Sequence, residues 1–83
     1  MNEQEIKKTI ITLLKNIAPD TDPDELKEND NIQEILSIDS FDWLQFIVAL
    51  NKKLGIEIPE QDYGEVAHLR DLLFYVTKKM KPK

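Results

Sequence analysis

Three stretches of this chain repeat apolar residues at three- and four-residue steps, and none alternates them at every second position. In the first, Ile6, Ile10, Leu13, Leu14 and Ile17 make one stripe, the mark of a helix with a single face against a core. Asn2 followed three residues later by Glu5 has the spacing of a capping box, and Pro19 closes the segment. The second stretch begins near Asp39-Ser40. Phe41, Leu44, Ile47, Val48 and Leu54 line one side of it, with Trp43, Phe46 and Leu50 extending the apolar arc. Gly55 stands where a helix C-terminus favours positive φ. The third stretch carries Leu69, Leu72, Leu73, Val76 and Met80 inward, and its closing lysines, Lys78 to Lys83, complement the helix dipole.

Between these stretches the punctuation is specific. Ile56-Glu57-Ile58-Pro59 is expected to be extended, because a residue before proline is pushed out of the helical region. Pro59 is placed to start a short third helix through Tyr63, ending at Gly64. From Pro19 to about Glu34 no periodicity is sustained. That segment is expected to be an ordered loop, pinned by Ile32, Ile35 and Leu36, with its polar part around Asp20 to Asn31 poorly anchored. A loop this long in so small a fold usually has a functional reason. The expected fold class is all-α: a small four-helix bundle with a long loop between helices one and two and a short third helix. At 83 residues it is expected to be one domain, 1–83, too small for a deep catalytic cleft.

Charge and composition remove several function classes. The formal net charge is −5, which argues against nucleic acid, since phosphate binding needs clustered Lys and Arg. From Asp20 to Glu34 there are seven acids and one base, a net of −6. Such a field suits docking onto basic partner proteins, or simply keeps a small protein in solution. The chain has no cysteine, so disulfides, thiolate nucleophiles and sulfur-based zinc sites are excluded. No basic segment followed by an apolar run opens the sequence, and no apolar run is long enough for a membrane span. The expected compartment is the cytoplasm.

The segment Leu36-Ser-Ile-Asp-Ser-Phe-Asp-Trp-Leu-Gln-Phe-Ile-Val-Ala-Leu-Asn-Lys-Lys-Leu-Gly-Ile-Glu-Ile-Pro-Glu60 resembles the acyl carrier protein family. That family's signature is Asp-Ser-apolar at the start of the second helix, then Gly-Ile-x-Ile-Pro after it. The likeness extends to helix lengths and order over nearly the whole chain, so the bundle is expected to be of acyl-carrier type. The resemblance implies a carrier, not an enzyme, bearing acyl thioesters for fatty acid, lipid or polyketide-type biosynthesis. It implies a covalent 4′-phosphopantetheine, transferred from coenzyme A onto Ser40 by a phosphopantetheinyl transferase, with Asp39 beside the attachment point. The arm would bring the thiol that this sequence lacks. The resemblance further implies partner docking through Phe41, Asp42, Gln45, Val48 and Ile58, acyl-loading and acyl-processing enzymes as partners, and a short acyl chain sheltered by apolar residues of helices two to four. A monomer without metal is expected. A hydroxyl at a helix N-terminus is physically suited to a phosphodiester, because the first N–H groups are free and the dipole favours negative charge. The plain alternative is that Ser40 or Asp39 is only an N-cap.

The chain departs from the family at several positions. The usual Gly two residues before the Asp is Ser37, and His68 stands where the fourth helix usually opens with Thr. Acids that normally stud the second helix are replaced by Gln45, Asn51, Lys52 and Lys53. These departures suggest a specialised carrier with dedicated partners. The lack of Gly-Gly-Asp-Ser argues against a nonribosomal peptidyl carrier, and short flanks favour a free-standing protein. Other chemistries fit less well. Asp20, Asp22, Asp24 and Glu28 match positions 1, 3, 5 and 9 of a calcium loop, but Glu25 and Asn31 replace its required Gly and closing Glu. Ser40 lies in no nucleophile elbow, and the one histidine, His68, has no partners for a triad or a metal. Trp43, Phe46, Phe74 and Tyr75, at helical spacing, are expected mainly in packing. The fallback is a helical interaction module with an acidic face.

Overall fold

The computed structural model describes residues 2–80. Its helices are α1 (Glu3–Ile17), α2 (Ile32–Leu36), α3 (Ser40–Leu54) and α4 (Leu69–Met80), with 3-10 segments at Pro23–Glu25 and Glu60–Val66. No strand is present among the described residues; one isolated bridge joins Asn31 and His68. The all-α bundle is therefore built from α1, α3, the second 3-10 segment and α4, with α2 inside the long connection. The lysines expected to close the last helix at Lys81 and Lys83 lie outside the described residues.

Local chemistry sets the ends of each helix. Asn2 accepts from the Glu5 amide at 2.8 Å while Glu5 accepts from the Asn2 amide at 3.2 Å, a complete capping box. Gly55 ends α3 at φ 67°, and the amides of Gly55 and Ile56 both reach the Asn51 carbonyl. Ser37 ends α2 in the same left-handed region, at φ 53°, where a Cβ is a steric burden. The short third helix is a 3-10 segment reaching Val66 rather than ending at Gly64, and Pro59 sits before it as the cap.

The core is continuous across these elements and, among the described residues, every buried side chain is apolar. Ile6, Ile10 and Leu14 come from α1; Leu69, Leu72, Leu73 and Val76 from α4. Both agree with the sequence stripes, with Met80 only partly buried. Only part of the apolar arc of α3 faces inward. Trp43, Phe46, Ile47 and Leu50 are buried, whereas Phe41, Leu44 and Val48 are exposed. Apolar residues surround most of this helix, so periodicity alone does not choose the inward arc. The arc that carries Trp43 and Phe46 turns in, removing most apolar area from water.

The long connection is better anchored than its composition suggests. Pro23 and Leu26 are buried, as are Ile32, Leu36 and Ile38, while Ile35 is exposed and does not pin the loop. The carbonyls of Glu28 and Asp30 accept from the amides of Arg70 and Leu69 at 2.8 and 3.1 Å, and the Ile32 amide donates to the Ala67 carbonyl at 3.0 Å. The first free amides of α4 are thus satisfied by the loop backbone. On the other side, Lys15 of α1 pairs with Asp24, whose hydrogen bond and charge raise the lysine above its usual range.

Candidate functional site

Asp39 and Ser40 divide the work at the start of α3. Asp39 is extended, at φ −79° and ψ 176°, and its Oδ1 accepts from the Asp42 amide at 2.8 Å; its carbonyl accepts from the Trp43 amide at 2.9 Å. Asp39 is the N-cap, and Ser40 is the first helical residue. Capping therefore falls to Asp39 and leaves the Ser40 hydroxyl, on an exposed residue, available for other chemistry. The amides of Ser40 and Phe41 precede the first intrahelical bonds and have no acceptor within the helix. The positive end of the dipole and these amides make the surroundings of Ser40 tolerant of an anion, against the opposing charges of Asp39 and Asp42.

Along the outer face of α3, Phe41, Leu44 and Val48 follow one another at three- and four-residue steps and are 67%, 43% and 42% exposed. They form an apolar stripe beginning beside Ser40. Gln45 is exposed and falls within this arc, and Asp42 is half-buried at its edge. A row of large apolar side chains left in water on a small protein is the kind of surface that a partner can cover. Ile58, expected on this surface, is 2% exposed and belongs to the core. The extended segment before Pro59 turns it inward, so it presents no side chain to a partner in this conformation. Leu44, which is not among the expected docking residues, joins Phe41 and Val48 in the exposed row.

The remaining candidates lie apart from Ser40. Among the described residues no three metal-ligating side chains converge. Asp24 is held by Lys15, and the neighbouring Asp22 carboxylate raises the Glu25 carboxyl above its usual range. His68 is exposed, with Nδ1 3.8 Å from Asp71 Oδ2, and its carbonyl starts α4 by accepting from Leu72. Trp43 and Phe46 are core residues, as expected, but Phe74 is 70% exposed. The Tyr75 hydroxyl donates to Asp62 across the gap between α4 and the 3-10 segment, a contact that no periodicity or motif announces. Among the described residues no helix is long and apolar enough to cross a membrane.

Comparison with known proteins agrees with this geometry. Residues 4–76 match the family described as "Phosphopantetheine attachment site". An acyl carrier protein from Wolinella succinogenes is 31% identical over 72 residues, covering 87% of this chain and 88% of the relative. One from Lactobacillus acidophilus is 32% identical over 76 residues, covering 92% and 94%. The solved acyl carrier protein from Enterococcus faecalis superposes with a TM-score of 0.80 at 22% identity, over 95% of this chain and 99% of that one, a likeness of fold. With the fold, the serine-led helix and relatives aligned over most of their length, the chain belongs to the acyl carrier proteins, which carry acyl groups on a phosphopantetheine arm.

Proposed function

We propose that Ser40 is the residue that bears the arm and that residues 1–83 form one carrier domain, monomeric in solution. The observation that carries the assignment is the division of labour at α3: Asp39 caps the helix, and the exposed Ser40 hydroxyl is left over. The residues present fit the group. The site is open, with unshared amides and the helix dipole to receive a phosphodiester charge, and the chain has no thiol of its own. When bound, the arm supplies that thiol for thioester formation.

On this reading a phosphopantetheinyl transferase is the first partner. Ser40 Oγ forms a bond to the phosphorus of coenzyme A as the pyrophosphate P–O bond breaks; adenosine 3′,5′-bisphosphate leaves and the hydroxyl proton is lost. Acyl-loading and acyl-processing enzymes then dock on Phe41, Gln45 and Val48, with Leu44 added to that face and Asp42 at its edge. Ile58 supports the face from beneath rather than touching the partner. A carrier loaded from coenzyme A and served by biosynthetic enzymes fits the cytoplasm as its compartment.

The test is intact mass measurement after incubation with coenzyme A, magnesium and a broad-specificity transferase, beside a Ser40→Ala control. The expected result is one added phosphopantetheine, absent from the control. Folded protein that gains nothing with several transferases would remove Ser40 as the attachment point and favour a plain interaction module.

A further inference from the structure

We propose that this carrier keeps the interior of its bundle closed and holds short or polar acyl groups outside it, with Trp43 as the residue that sets the limit. The inference rests on Ser40 bearing the arm. A carrier that shelters an apolar chain must open a space in its core within reach of the attachment serine. Here that region is filled by rings. Trp43 follows Ser40 by three residues, so the two are neighbours along α3. Its side chain is 4% exposed, and its ring centroid stands 5.1 Å from that of Phe46, tilted by 34°.

Beyond this pair the packing continues without relief. Ile47, Leu50, Ile58, Val66, Leu69 and Leu72 are each 2% exposed or less. Protein interiors are close-packed, so a core this shielded from water admits a chain only if side chains leave their rotamers. Methionines adapt to such demands, but paired aromatic rings are rigid and hold large contact areas. The buried core at the arm's end of α3 holds these two tilted rings and, among the described residues, no methionine. The resemblance to sheltering carriers therefore fails at the level of packing in this chain.

Two surface hollows lie away from the arm. One, between α4 and the 3-10 segment, is lined by Asp62, Tyr75 and Lys79; another, on α1, by Glu5, Thr12 and Lys53. Both carry charge at their walls and neither includes a residue of the first three turns of α3. A long apolar chain on the arm would stay in water, at a cost that grows with every methylene. Acetyl-sized, hydroxylated or amino-bearing acyl groups meet no such cost, and they are the cargo class this interior fits.

The experiment compares the arm-bearing protein charged with acetyl and with octanoyl groups, each confirmed by intact mass. The readouts are the Trp43 indole N–H and Phe46 ring resonances and the unfolding midpoint. The expected result is the same core resonances and the same midpoint for both cargoes. Octanoyl-dependent shifts at Trp43 and Phe46, with a raised midpoint, overturn the inference while leaving the arm on Ser40. A protein that never gains the arm overturns the reading beneath it instead, so the two failures are distinct. In Trp43→Leu, space opens beside Phe46 and octanoyl is expected to shift the Phe46 and Ile47 resonances. A folded Trp43→Leu that ignores octanoyl takes the limiting role away from Trp43. If that variant does not fold, the comparison on the unaltered chain still decides whether the interior admits the cargo.

Discussion

The Tyr75 hydroxyl donates a 2.6 Å hydrogen bond to Asp62 Oδ2, fastening α4 to the 3-10 segment that closes the bundle. This bond to Asp62, followed by burial and the charges of Asp62, Glu65 and Glu57, pushes the phenol up to about 12. Because the folded value lies above the ordinary 10, the bond's contribution to stability is whole below pH 10 and fades as pH rises through 12. A spectrophotometric titration at 295 nm is expected to show one tyrosine ionising near the upper limit. Tyr75→Phe is expected to lower stability at pH 7 by about 1 kcal/mol in denaturant unfolding, and to abolish that late titration.

Asp39 and Ser40 are adjacent but separable by mutation. Asp39→Ala removes the cap on α3 and is expected to reduce stability by about 1 kcal/mol. Ser40→Ala touches an exposed first-turn residue and is expected to stay within about 0.5 kcal/mol of the unaltered protein. Loading by the transferase should vanish completely in the second. A Ser40→Ala protein as unstable as Asp39→Ala would show that the serine, not the aspartate, is the structural residue.

Ser37 and Gly55 make opposite use of the left-handed region. Both end helices, at φ 53° and φ 67°, and nothing lies within 4 Å of a Cβ built on Gly55, so only the backbone resists a side chain there. Ser37→Gly is expected to stabilise the fold by about 0.5 kcal/mol, the relief of αL strain less the entropy of glycine. Gly55→Ala should destabilise it by about 1 kcal/mol. Urea midpoints for the two variants that move in the same direction contradict the assignment.

The long connection is expected to exchange its amide hydrogens in two zones. Leu26, Asp30 and Ile32 donate to carbonyls, and the Arg70 and Leu69 amides are held by Glu28 and Asp30. These sites should be protected relative to the exposed turn around Asp20 and Asp22. Uniformly fast exchange from Asp20 to Asn31, as an unanchored loop would give, is the contrary result.

Much of this architecture was legible in one dimension. The capping box of Asn2 and Glu5, the stripe of α1, the stop at Gly55 and the inward residues of α4 are all local: propensity, periodicity and dihedral preference act over a few residues. The same holds for Asp39-Ser40, where a cap and a hydroxyl share a helix start. Which of the two did the capping was not legible, because both residue types cap helices and the choice depends on where the helix begins.

Residue order therefore determined the helices, their ends, the uneven charge and the position of the candidate serine. Tertiary structure decided which arc of α3 faces in, leaving Phe41, Leu44 and Val48 outside and setting Trp43 against Phe46 within. It also buried Ile58, tied the acidic connection to α4 through backbone carbonyls, and joined Tyr75 to Asp62. The physical reason is range. Helix formation is settled by near neighbours, whereas burial of an apolar residue on a helix apolar nearly all round depends on partners distant in the chain.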